Sequence, residues 1–422
     1  MTRNKIIYCY LDDIFHGCRY LGNLYVQNER GREIYSFEWS NECLEQEVPF
    51  PILDPRLFAG MYGRQYAGDR LFGVFSDACP DRWGRLLMSR REGIRARQAG
   101  RRPAKLLESD FLLGVHDEGR MGALRFRLDT KGPFLADDAA LAAPPWAELR
   151  KLQDASLHFE KDDHGEAKWL SLLLAPGSSL GGAHPKATVK DEKGNLWIAK
   201  FPSHHDEEDT GAWEMVAHDL AIHCHLHVPE AKALRLTEEG TTFLVRRFDR
   251  QQGKRIHMAS AMTMLDQTDN AHNASYLDIA DWISANSARP QEDLSELWCR
   301  MVFNILIANT DDHLRNHAFL LYRDGWHLSP LYDVNPNPMG EYLSLGITEE
   351  DSALDIQLAL DTAEFYQISP QKASETITMM ATIIQQNWLD LARKYRIPRS
   401  SIERMESAFQ VARELGKPIS SR

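Results

Sequence analysis

No stretch of this 422-residue sequence holds the roughly 20 consecutive apolar residues that a membrane-spanning helix needs. Its start, Met-Thr-Arg-Asn-Lys, lacks the apolar segment of a secretory signal, so a cytoplasmic protein with no membrane association is expected. The six cysteines (Cys9, Cys18, Cys43, Cys79, Cys224, Cys299) include no C-x-x-C pair, and read as reduced thiols, mostly in the core. Positive charge is in deficit: a net charge of −12 argues against a surface built throughout for nucleic acid. Internal repeats and low-complexity segments are also missing. What remains is ordinary globular composition, 43% hydrophobic and 26% charged, over a length that suits two or three structural units.

The pattern predicts an α+β protein. Ile6–Leu11, Tyr20–Val26 and Glu33–Phe37 are β-rich and aromatic, separated by polar turns, and Arg120–Arg127 reads as a closing strand. Strands are expected at Lys186–Val189, Leu196–Phe201, Ala231–Leu236 and Thr242–Arg246, with a helix over Gly211–Cys224. Beyond Tyr276 the period is almost wholly helical. The expected division is 1–130, a mixed N-terminal subdomain; 131–250, a small lobe; and 251–422, a helical large lobe. Between Arg82 and Arg102 lie eight arginines and one glutamate, a basic patch that fits either a nucleic acid or acidic partner or a solvated helix face.

The densest chemistry is in Asn309-Thr310-Asp311-Asp312-His313-Leu314-Arg315-Asn316-His317. An Asp five residues before an Asn, between an apolar helical run and an apolar strand, is the spacing of a kinase catalytic loop. A second aspartate, Asp333, follows a short hairpin later, where a kinase places its main metal-binding carboxylate. Two adjacent aspartates and an asparagine concentrate oxygen ligands suited to Mg²⁺. His313 either donates toward a phosphate or braces the loop, and bracing is preferred. Upstream, Ser178-Ser179-Leu180-Gly181-Gly182-Ala183-His184-Pro185-Lys186 offers paired glycines whose N–H groups can approach an anion, although a Gly-Gly turn is often only structural. Lys200 ends an apolar strand; it either projects inward onto an anion or reaches solvent. Glu214 is its natural ion-pair partner, while the macrodipole alone also accounts for a glutamate early in a helix.

Together these motifs resemble the HipA family, the serine/threonine kinase toxins of bacterial toxin–antitoxin modules. The likeness runs through most of the chain and is densest in Ser179–Lys186, Lys200, Val245–Arg250, Thr310–Asn316 and Leu331–Pro338. It implies a two-lobed protein-kinase-like fold binding ATP and Mg²⁺, with Lys200 and the loop Gly181, Gly182, Ala183, His184 and Lys186 on the phosphates. Arg246, Phe248 and Asp249 would form the hinge: backbone toward adenine, Asp249 near the ribose or bracing. Asp311 would orient the accepting hydroxyl, Asn316 and Asp333 would hold metal, and Ser179 matches the serine whose autophosphorylation silences family members. The implied partners are a protein substrate and a small helix-turn-helix antitoxin, with operator DNA reached through it. The best-known member phosphorylates glutamyl-tRNA synthetase, which halts translation and yields drug-tolerant cells. Here Pro185 removes a backbone N–H from the phosphate loop, and Arg246 stands where that member has an acidic residue. Two other readings stay open: a catalytically dispensable co-repressor contacting DNA through Arg82–Arg102, and a small-molecule kinase.

Overall fold

The computed structural model describes residues 4–45, 51–135, 143–161, 170, 173, 182, 184–269 and 274–416. The chain divides into two compact units, one of Met1–His204, Arg246–Asp266 and Leu320–Arg323, the other of His205–Val245, Gln267–Phe319 and Asp324–Arg422.

The first unit opens with an antiparallel sheet of β1 (Lys5–Asp13), β2 (Gly17–Glu29), β3 (Arg32–Trp39), β4 (Arg64–Gly68) and β5 (Leu124–Arg127), in the order β4-β3-β2-β1-β5. Strict alternation builds it: Ile7, Cys9 and Leu11 of β1 are all fully buried on one face. Gly22 opposes Trp39 in the β2–β3 register, and a Cβ there would lie 2.1 Å from the Glu38 carbonyl, so only glycine fits. The Arg-rich segment is a helix, Arg82–Gln98, started by Asp81, whose carboxylate accepts the Gly84 N–H at 2.7 Å. It buries Trp83 and Leu87 against Ala155, Phe159, Leu170 and Leu173. Its far side leaves Arg82, Arg95 and Arg97 exposed. Trp83 also donates its indole N–H to the Lys186 carbonyl (3.1 Å), which fastens this helix to β6 (Lys186–Lys190). Strand β6 pairs antiparallel with β7 (Leu196–Lys200), Lys186 opposite Lys200. The Asp191 carboxylate ties the turn between them by accepting from the Lys193 and Asn195 amides at 2.9 and 2.8 Å.

The second unit contains the helix Thr210–His223, capped by Asp209, and the antiparallel hairpin of β8 (Ala231–Thr237) and β9 (Gly240–Arg246). The rest is a helical block, chiefly Tyr276–Asn286, Pro290–Leu306 and Pro370–Lys394. Pro290–Leu306 is its central member because Leu294, Leu297, Trp298, Met301, Val302 and Ile305 recur at helical spacing, each fully buried. Strands first and helices last is the α+β order that the sequence predicts. Among the described residues no helix is long and apolar enough to cross a membrane.

Candidate active site

The helix Pro290–Leu306 delivers the Asp311 loop. It ends when Ala308 turns into the left-handed region (φ 51°), a conformation that costs energy for any residue with a Cβ and marks a constrained site. The loop then exposes Asp311 and buries Asp312. Asn316 is buried, and its side-chain amide donates to the Asp311 carbonyl at 3.2 Å, fixing the five-residue span from inside. That donation leaves Oδ1 as the acceptor atom of Asn316.

The Asp333 segment is stitched to both ends of this loop. At the near end Asn309 Oδ1 accepts the Asn335 N–H at 3.1 Å, the Ala308 carbonyl accepts the Asn337 N–H at 3.0 Å, and Asn337 Nδ2 reaches Thr310 Oγ1 at 2.7 Å. At the far end the Tyr332 hydroxyl donates to the Arg315 carbonyl at 2.6 Å. Asp333 lies between these ties with φ 60°, a left-handed conformation that aspartate tolerates better than most residues. Asp311, Asn316 and Asp333 therefore belong to one hydrogen-bonded neighbourhood.

Two adjacent aspartates read, in the sequence, as a pool of metal ligands, but the structure separates them. Asp312 points into the core, where its carboxylate takes the Tyr276 hydroxyl, Asn304 Nδ2 (3.1 Å) and His317 Nε2 (2.8 Å). Burial pushes the Asp312 carboxyl up, but His317 and the Tyr276 hydrogen bond outweigh it and hold the group below its ordinary value. Asn309 Nδ2 extends the network to Asn304 Oδ1 at 3.0 Å. Tyr276, Asn304, Asn309 and His317 were not singled out by sequence reasoning; the second aspartate and the trailing histidine were the available signal. Replacing Asp312 by asparagine should cost about 1.5–3 kcal/mol, the range of a buried hydrogen bond to a charged group. Because the folded carboxyl titrates low, its contribution is complete above about pH 4 and fades as pH falls through the folded value. Urea midpoints at pH 7 and pH 3 should thus differ more for wild type than for Asp312→Asn.

In the first unit, Lys186 is buried and ion-paired with Asp81 at 3.2 Å. Gly182, at φ 92°, passes close beside it: a Cβ there would stand 3.3 Å from the Lys186 ammonium. The glycine turn and Lys186 are thus neighbours, and His184 stands half-buried between them in sequence. Gly181, Ala183 and Ser179 lie outside the described residues. Lys200 is half-buried at the end of β7. Glu214 is buried in the helix Thr210–His223 of the second unit.

The Val245–Arg250 segment is built around Asp249, which is fully buried. Its carboxylate accepts from Arg247 at 2.9 and 2.7 Å, from Arg250 at 2.6 Å and from the Gly122 N–H at 2.8 Å. Burial raises this carboxyl, yet the two guanidinium groups prevail and bring it down to about 2. Arg247 also donates to the Gly119 and Arg120 carbonyls at 2.7 and 2.9 Å. Arg246 turns its guanidinium to Asn195 Oδ1 at 3.1 Å, and Phe248 is half-buried.

The HipA-like C-terminal domain family model matches residues 178–388, half of the chain, and the match takes in every candidate residue from Ser179 to Asp333. The chain belongs to the HipA family. Over the full length, 97% of this HipA-like chain and 96% of the other, it superposes on a chain of the Shewanella oneidensis MR-1 toxin–antitoxin complex of HipA, HipB and operator DNA, with TM-score 0.66 and 15% sequence identity. That likeness establishes the HipA fold. A Haemophilus influenzae protein named "Putative kinase" is 29% identical over 38% of this chain, and the match spans about half (54%) of that relative.

The loop also meets the chemical requirement of a nucleotide-bound divalent cation. Its donors are carboxylate and amide oxygens, the hard ligands that Mg²⁺ takes. Among the described residues, Asn335 Oδ1 and His313 Nδ1 are buried without a hydrogen-bond partner, which fits a site completed by a ligand.

Proposed function

We propose that this chain is a Mg·ATP-dependent protein serine/threonine kinase of the HipA type, the toxin of a toxin–antitoxin pair. The observation that carries the reading is the Asp311–Asn316 loop tied at both ends to the segment bearing Asp333. Mg·ATP supplies the transferable phosphoryl group. Asp311 orients the attacking hydroxyl and accepts its proton, and its exposure leaves it open to a protein side chain. Asn316 Oδ1 and the Asp333 carboxylate hold the metal. Lys200 and Lys186, with the Gly182 turn, hold phosphates, and the backbone of Arg246 and Phe248 receives adenine. Asp249 positions that backbone by clamping Arg247 and Arg250. His313 braces the loop. Phosphorylation of Ser179 switches the enzyme off, and Ser179→Ala should remain active after preincubation with ATP while wild type loses activity.

In this reading the target is a translation-related protein, and a small helix-turn-helix antitoxin carries the chain to operator DNA. Support for the partner comes from the HipB and operator DNA held in the Shewanella complex. Growth arrest on induction should vanish with Asp311→Gln; arrest that survives this change would separate toxicity from phosphoryl transfer.

A second reading, a co-repressor that touches DNA itself, is favoured by the exposed Arg82, Arg95, Arg97, Arg101 and Arg102. Two arginines of the stretch are also engaged within the protein: Arg85 chelates Glu108 at 2.6 and 2.7 Å, and the exposed Arg101 chelates Glu92 at 2.5 and 3.1 Å. If this face meets phosphates, Arg95→Ala with Arg97→Ala should flatten the slope of log K against log salt by about 2, one per lost contact. An unchanged slope in an electrophoretic titration would leave DNA contact to the antitoxin.

A further inference from the structure

The first unit contains a cavity of about 600 Å³ whose lining shares Arg246, Arg247 and Arg250 with the segment around Asp249 but includes none of the Asp311 loop, Lys186 or Lys200. It lies between the end of β1, the β6–β7 turn and a two-stranded hairpin of Arg250–Gln251 with Lys254–Arg255. That hairpin turns tightly through Gln252 and Gly253, both left-handed (φ 51° and 76°), and the Arg255 carbonyl accepts the Ile14 N–H at 2.9 Å, which fixes it to the end of β1. The size is that of a small-molecule site.

Its lining is unusual for an acidic protein. Seven basic residues line it against four acidic ones. Each carboxylate is engaged. Asp12 and Asp117 take Arg125 at 2.7 and 2.6 Å, and Asp117 also receives Arg255 at 3.1 Å. Glu118 pairs with Lys190, and Asp13 accepts from the Phe15 and His16 amides at 2.7 and 2.6 Å. Adding the buried Asp249, which binds Arg247 and Arg250, still leaves cations in excess. Arg255 shows where the excess is felt: its Nη1 is buried without a hydrogen-bond partner, among the described residues. Burial pulls its guanidinium pKa down; Asp117 opposes this, and the neighbouring Arg125 and Arg247 pull it down again. A multivalent oxyanion in the cavity would supply the missing negative charge beside these cations.

We propose that this cavity binds a small polyanion carrying phosphate groups, with Arg255, Arg125 and Lys254 as its principal contacts. Arginine forks match the phosphate oxygens in pairs, and a cavity of this size suits a compact ligand. No residue of the Asp311 loop lines the cavity, and its principal contacts Arg255, Arg125 and Lys254 have no part in the kinase reading, although Arg246 borders both.

The test uses the full chain and sodium tripolyphosphate in the absence of divalent metal, followed by isothermal titration calorimetry. Wild type should bind, and Lys254→Glu, an exposed position that leaves the core intact, should weaken binding at least tenfold. Arg255→Gln should do the same while a non-hydrolysable ATP analogue binds both variants as it binds wild type. Three results would overturn the proposal: unchanged tripolyphosphate affinity in Lys254→Glu, displacement of tripolyphosphate by the saturating ATP analogue, or citrate binding as tightly as tripolyphosphate. Retained tripolyphosphate binding in a chain presaturated with the analogue supports it.

Discussion

Replacing Asp311 by asparagine should lower kcat for phosphate transfer by about 10²–10⁴-fold, the span that a positioned general base contributes. The KM for ATP should barely move. The reason is local: the bond that fixes this residue runs from Asn316 to the Asp311 backbone carbonyl at 3.2 Å, not to its carboxylate. An isosteric amide keeps that bond and removes the charge that takes the hydroxyl proton. Asp311 is exposed, so thermal stability should stay within about 0.5 kcal/mol of wild type. A fall in kcat with unchanged melting would isolate chemistry from folding; a kcat that holds would remove Asp311 from the mechanism.

The largest stability effect is expected at Asp249. Asp249→Ala would strand Arg247 and Arg250, both charged and nearly inaccessible, with side-chain exposures of 0% and 7%. Removing one partner of such a buried cluster costs roughly 3–5 kcal/mol. It would also release the Gly122 amide, so the hinge backbone should loosen and nucleotide affinity should fall with stability. Acid should mimic the mutation. The folded carboxyl titrates at about 2, below the ordinary value of about 3.9. Its contribution, roughly 2–3 kcal/mol by linkage, is complete at neutral pH and is lost as pH falls from about 4 toward 2. Guanidinium denaturation across that window should show the loss in wild type and not in Asp249→Ala. Equal pH dependence in both would place the acid-sensitive group elsewhere.

The parts of this protein that depend on neighbours in sequence were readable without coordinates. β-rich aromatic runs between polar turns exposed β1 to β3, and a helical period exposed the block beyond Tyr276 that holds Pro290–Leu306. The five-residue interval from Asp311 to Asn316, with Asp333 a hairpin later, marked one neighbourhood because these residues lie close in sequence. What stayed hidden is set by contacts across long separations. Asp312 finds Tyr276 from 36 positions away, and Asp249 finds Gly122 from 127. No period or spacing encodes such a pairing, so Asp312 looked like one more metal oxygen and Asp249 like either a ribose contact or a brace. The basic cavity is of the same kind. Its arginines come from β5, β9 and the 250–255 hairpin, and only folding reveals that Asp12, Asp117 and Glu118 leave Arg255 incompletely matched.

The most direct measurement for the central claim is transfer of label from γ-³²P-ATP and Mg²⁺ to acid-precipitated protein, comparing purified wild type with Asp333→Asn. If the Asp311 loop and the Asp333 segment form one phosphoryl-transfer centre, wild type incorporates label and omission of Mg²⁺ stops it. The variant should stay at background while folding normally. Equal incorporation by both proteins would contradict the account, because the carboxylate assigned to the metal would then be dispensable.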